Sequence, residues 1–215
     1  SCTPAWTCAR TTDTIMAGAW LLHRAVQPLV VVLCSLPAWQ LLFKAVLDQL
    51  GPNPAEALIR GTGDWTLRWL CVVLAVTPVR ILFKLPALAR LRRTLGLTVF
   101  VYACLHLLCY AWLDMGLEWS DIAHDIAKRP FILVGFVSWL VLLVLAATSS
   151  HAAVRWLGGR RWQWLHRAVY LVAPLAILHF YWMRAGKQNF TDVFMYALIL
   201  VLLLGWRLRR KIRGY

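Results

Sequence analysis

The 215 residues are 61% hydrophobic and only 15% charged, with thirteen tryptophans, a balance that excludes an ordinary water-soluble domain and marks an integral membrane protein. In a soluble chain a net charge of +14 would suggest nucleic acid. Here the basic residues cluster at the ends of apolar segments and report membrane topology, so the expected surroundings are membrane lipid and no nucleic acid.

Residues 1–15 match neither a signal peptide nor a helix and are read as an N-terminal extension, with Met16 as an alternative start and 16–215 as one membrane domain. A first span is predicted over 25–46, with Pro28 and Pro37 absorbed as kinks. A polar loop, GPNPAEALIRGTGD, precedes the second span, predicted over 65–83 with Thr77-Pro78 near its end. After the basic connection KLPALARLRR, residues 94–113 form the third span, which contains His106.

The stretch 114–130 carries Leu117, Ile122 and Ile126 at near-helical spacing together with Asp114, Glu118, Asp121 and Asp125. This pattern predicts a short helix on the membrane surface, a candidate docking face for a partner, with His124 in solvent. Span four covers 131–148, and SSHAAVRWLGGRR follows as a second basic loop. Span five is WQWLHRAVYLVAPLAILHFYW (162–182), with His166 and His179; span six covers 193–206 and leads into the basic end RLRRKIRGY. The six cysteines form no CxxC, and Cys34, Cys71, Cys104 and Cys109 lie in apolar segments as small buried hydrophobes.

The expected fold is therefore all-α, an integral membrane bundle of six transmembrane helices. An even number of spans puts both termini on one side. That side takes sixteen of the 23 Lys+Arg and only Asp13 among the nine acids, so it is expected to be cytoplasmic.

Histidines inside a membrane need a reason. On a continuous helix His166 and His179, thirteen residues apart, are separated by roughly 20 Å of rise and about 140° of rotation. They would lie at opposite depths. Spans three and five run parallel, which sets His106 beside His179 in the outer half as a candidate pair of axial ligands to haem iron. At the inner level His166 faces Arg92, followed by Arg93. A guanidinium there suits a haem propionate or a quinone oxygen better than iron. Two other readings stay open: a proton relay, although carboxylates in the path are few, and interhelical hydrogen bonding with no cofactor. His23 and His151 sit at span ends and are expected to be solvated.

Four stretches, ARLRRTLGL (89–97), YACLHLLCYAWLDMG (102–116), KRPFILVGFVSWLVLLVLAATS (128–149) and span five, with TGDW (62–65) and TP (77–78), resemble the MsrQ family over about residues 25–210. More distantly the pattern is similar to the ferric-reductase-like transmembrane family, whose members carry two histidines on each of two spans; here Arg92 stands where one of the four is expected. The resemblance implies one or two b-type haems, FMN, and electrons drawn from the quinone pool or a reduced flavin. It further implies transfer across the bacterial inner membrane to a periplasmic molybdopterin methionine sulfoxide reductase of MsrP type, in a heterodimer, that repairs oxidised proteins. No substrate site is expected in this chain itself. The alternative is a haem-free membrane transporter or assembly factor.

Overall fold

A computed structural model describes residues 23–185 and 189–213. The N-terminal extension and Met16 lie outside the described residues. Among the latter the regular structure is entirely helical, and six helical stretches are long and apolar enough to cross a membrane. The outward faces are rich in exposed large apolar side chains, such as Leu29, Val32, Leu36 and Phe43 on the first helix and Phe194, Leu198, Val201 and Leu202 on the last. In water such patches would drive aggregation; in lipid they are the expected surface.

Helix α1 spans Val26–Val46 and α2 spans Pro54–Leu82. A 3-10 turn, Pro86–Arg90, leads into α3, Leu91–Cys109, which is prolonged by a π-helical turn, Tyr110–Asp114. The surface helix α4 is Trp119–Lys128, and α5 is Pro130–Ala147. Two short helices, α6 (His151–Leu157) and α7 (Gly159–His166), precede α8 (Val169–Ala185) and α9 (Thr191–Ile212).

Packing closes a ring: α2 on α3, α3 on α5, α5 on α8, α8 on α9, and α9 back on α2. Leu70, Leu74, Val99, Ala103, Leu142, Val172, Ala173 and Leu200 meet at mid-height in this ring and form its core. Helix α1 stands outside, against α2 and α3. Pro37 weakens the ladder of α1 by removing an N–H, and the buried hydroxyl of Tyr102, 2% exposed, is inserted there. It accepts from the Ala38 N–H (3.0 Å) and donates to the Cys34 carbonyl (2.8 Å), bridging two groups that an unbroken helix would pair directly.

The structure departs from the sequence expectations in four places. Helix α2 begins at Pro54, eleven residues before the predicted start, because Asn53 caps it by accepting from the Glu56 N–H (3.1 Å) and Pro54 occupies the first turn, where no N–H is needed. The basic loop before span five is largely helical, with Ser150 capping α6 through the Ala153 N–H (3.1 Å). Span five is not one continuous helix, since Arg167 and Ala168 form a tightened turn with three-residue hydrogen bonds between α7 and α8. Pro174, six residues beyond Ala168, leaves the Tyr170 carbonyl without its usual donor and weakens this region further. Finally, Asp125 does not belong to an open acidic face: it is 7% exposed, held by the Tyr110 hydroxyl (2.7 Å) and Arg129 (2.8 Å). Asp114, Glu118, Asp121 and His124 are exposed.

Candidate functional site

A cavity of ≈ 450 Å³ opens between α2, α3, α5 and α8, and His106 and His179 project into it. Their ring centroids are 6.1 Å apart with planes at 80°. Each ring is held the same way. His106 Nδ1 meets the Ile59 carbonyl at 2.8 Å, and His179 Nδ1 meets the Phe131 carbonyl at 2.6 Å. A carbonyl oxygen only accepts, so Nδ1 carries the proton in both rings and Nε2 keeps its lone pair. Two neutral imidazoles with oriented, unprotonated nitrogens are the donor set a metal ion takes.

The approach to each carbonyl depends on a missing side chain. Ile59 and Phe131 lie one helical turn before Gly63 and Gly135, on α2 and α5. A Cβ on Gly135 would stand 2.8 Å from His179 Nδ1, and one on Gly63 would stand 3.1 Å from His106 Nδ1. Glycine at these two positions makes a shallow seat for each ring. Sequence reasoning passes over both residues: Gly63 falls in the stretch read as the polar loop GPNPAEALIRGTGD, whereas Gly135 is a lone glycine inside an apolar helix, a signal of close approach.

The residues present fit a haem. The two imidazoles face each other with ring centroids 6.1 Å apart, so one iron could be shared by a nitrogen of each. The cavity walls are mostly apolar, while Arg60, Arg129 and Arg184 stand at its mouth, paired with Glu56 (2.6 Å), Asp125 (2.8 Å) and Asp192 (3.4 Å). Tyr110, Asp114 and Arg129 also line the mouth, so the π-helical turn that follows His106 ties the cavity to the surface helix α4.

The other expected site residues lie elsewhere. His166 ends α7, with its ring stacked on Trp162 (4.0 Å between centroids) and Nδ1 on the Trp162 carbonyl at 3.1 Å. Arg92 donates to the Thr77 hydroxyl (3.0 Å), and Arg93 is exposed. Among the described residues no hydrogen bond or ring contact joins His166 to Arg92. No group of three or more His, Cys, Asp or Glu poised for a metal ion occurs among the described residues. Cys34 and Cys71 are buried free thiols; Cys104 and Cys109 are partly buried, with Cys104 Sγ accepting from the Trp139 indole (3.3 Å).

Residues 62–177 match the family described as ferric reductase like transmembrane component. A protein of Polaromonas naphthalenivorans, named protein-methionine-sulfoxide reductase heme-binding subunit MsrQ, is 60% identical over 194 residues, covering 89% of each chain. The chain belongs to the MsrQ family. MsrQ proteins of Ralstonia nicotianae and Caulobacter vibrioides, with the same printed name, are 49% and 40% identical over 191 and 182 residues, covering 89% and 85% of this chain and 88% and 86% of theirs. No solved structure matches it. Six candidate spans and the MsrQ relationship together make this a multi-pass membrane protein.

Proposed function

We propose that the chain is a membrane b-type cytochrome that passes electrons from the quinone pool, or from a reduced flavin, across the bacterial inner membrane. The receiver is a periplasmic molybdopterin-dependent subunit of MsrP type that repairs methionine sulfoxide in proteins. The relatives are named as haem-binding subunits of a protein-methionine-sulfoxide reductase, which supports both the cofactor and the existence of a partner. One observation carries the reading: His106 and His179 face each other across the cavity, each oriented by a backbone carbonyl through Nδ1.

In this reading His106 and His179 would hold haem b, and the bound group would supply a reversible one-electron iron couple. Gly63 and Gly135 let the rings reach Ile59 and Phe131, which fixes ring angle and tautomer. The apolar wall keeps water from the pair. His166 serves electron input at the basic end, as ligand of a second haem or beside a quinone. Arg92 and Arg93 supply cationic groups at the same basic end, and FMN belongs to the reading through family resemblance alone. The basic end is cytoplasmic, in accord with the charge count, and the exposed acids of α4 receive the partner.

The test is an optical spectrum of the purified protein before and after dithionite. Sharp bands of a six-coordinate b haem, lost in His106→Ala and in His179→Ala, are expected. A colourless, iron-free preparation would replace this reading with a transporter or assembly factor.

A further inference from the structure

At the basic end, α2, α3, α8 and α9 meet around Thr77. Its hydroxyl accepts from Arg92 Nη2 (3.0 Å) and from Arg207 Nη2 (2.8 Å), while Arg207 also donates to the Leu74 carbonyl (2.6 Å) and the Tyr170 hydroxyl. Two guanidiniums thus converge on one neutral side chain, and Arg80 adds a third like charge beside Arg92. Among the described residues, neither Arg92 nor Arg207 has a carboxylate partner; the salt bridges of Arg60, Arg129 and Arg184 all lie at the His106–His179 end. The Nε of Arg92 and the Nε of Arg207 are both buried without an acceptor.

Drawing a guanidinium partly out of water with no counter-charge is unfavourable, and placing two like charges side by side adds repulsion. A chain that only needed positive charge at this end could leave both side chains in water, as it leaves Arg93. Instead both are drawn inward and each has more N–H donors than its present bonds use. With two N–H groups directed at its oxygen, Thr77 has its own O–H left to donate. An arrangement of forked cationic donors and a hydroxyl donor recognises a tetrahedral oxyanion.

We infer that Arg92, Arg207 and Thr77 form a binding site for a phosphate group. The site narrows the part assigned above to Arg92 and brings in Arg207, which the sequence presents as the first residue of a basic tail. It stands at the depth where the apolar run of α9 ends at Trp206, so the phosphate is either that of a lipid headgroup or that of a soluble phosphate ester. The proposal concerns this end of the bundle alone. Its failure would leave the His106–His179 site untouched, because neither haem content nor electron transfer is read in the test.

The full chain is purified in a neutral detergent and its thermal midpoint followed while adding sodium chloride, inorganic phosphate, glycerol phosphate or short-chain phosphatidylglycerol at matched ionic strength. A rise of a few degrees with phosphatidylglycerol alone assigns the site to lipid; a rise with glycerol phosphate or inorganic phosphate as well assigns it to a soluble ester. Either rise should vanish in Arg207→Gln and in Arg92→Gln, and should shrink in Arg207→Lys, which keeps the charge but loses the fork. The same small response to all four additions in the unmodified chain overturns the proposal without recourse to any variant. So does a phosphate response that persists in Arg92→Gln/Arg207→Gln.

Discussion

Gly135 and His179 share one space: a Cβ on the glycine would stand 2.8 Å from the imidazole Nδ1, inside the contact distance of any real side chain. The ring therefore lies against bare backbone, and its 2.6 Å bond to the Phe131 carbonyl exists because nothing intervenes. Gly135→Ala should push the ring off that carbonyl. Groups that orient a metal-bound histidine are worth about 10–100-fold in metal affinity, and a loss of that order in haem retention is the expected outcome, read as haem per protein after gel filtration. Gly63→Ala, whose Cβ would meet His106 Nδ1 at 3.1 Å, should do the same more weakly.

The three intramembrane histidines should separate into two classes. His106→Ala or His179→Ala leaves any iron between them with one imidazole, so the bis-histidine spectrum should disappear or become high-spin. His166→Ala should preserve that spectrum, since its ring rests on Trp162 and does not line the cavity. Haem stoichiometry and reduced spectra of the three variants, measured side by side, check this; full retention of the spectrum in His106→Ala would end the pairing.

Tyr102→Phe removes the hydroxyl that bridges the Ala38 N–H and the Cys34 carbonyl. Both groups would be left inside the gap at Pro37, at a cost of about 1–3 kcal/mol. A lower thermal midpoint in detergent, with the haem bands unchanged, is expected, because the bridge joins α1 to α3 outside the ring that bounds the cavity.

On the surface helix the acids divide by what they touch. Asp114, Glu118 and Asp121 are exposed, and reversing all three to Lys should slow electron delivery to a partner by about tenfold at low salt, with the difference shrinking as salt rises. Stopped-flow reoxidation across ionic strength measures this, and a rate indifferent to both charge and salt would remove α4 from the docking surface. Asp125→Asn should act differently. It weakens the bonds that this buried carboxylate makes to Arg129 and Tyr110, so a stability loss of about 1.5–3 kcal/mol is expected, visible in thermal unfolding.

Span number and the helical class follow from composition, because lipid leaves the backbone few alternatives to a helix of bilayer length. The six apolar runs could be read in that way, and the placing of His106 level with His179 from the rise of a helix. Local end signals were also present, as Asn53-Pro54 with Glu56 shows for α2, although apolar periodicity alone set the start of that helix too late. What a one-dimensional reading could not supply is which faces meet. Asp125 has the same formula as Asp121, and only the approach of Tyr110 and Arg129 makes one buried and the other exposed. Arg207 reads as part of a basic tail until α9 folds back on α2 and brings it to Thr77 beside Arg92. The imidazole seats depend on Gly63 and Gly135, more than forty residues from the rings they receive, and sequence distance carries no sign of that contact. Helix formation is decided within a few residues by the solvent and the backbone; side-chain partnership is decided by the packing of one helix on another, which exists only once the bundle has closed.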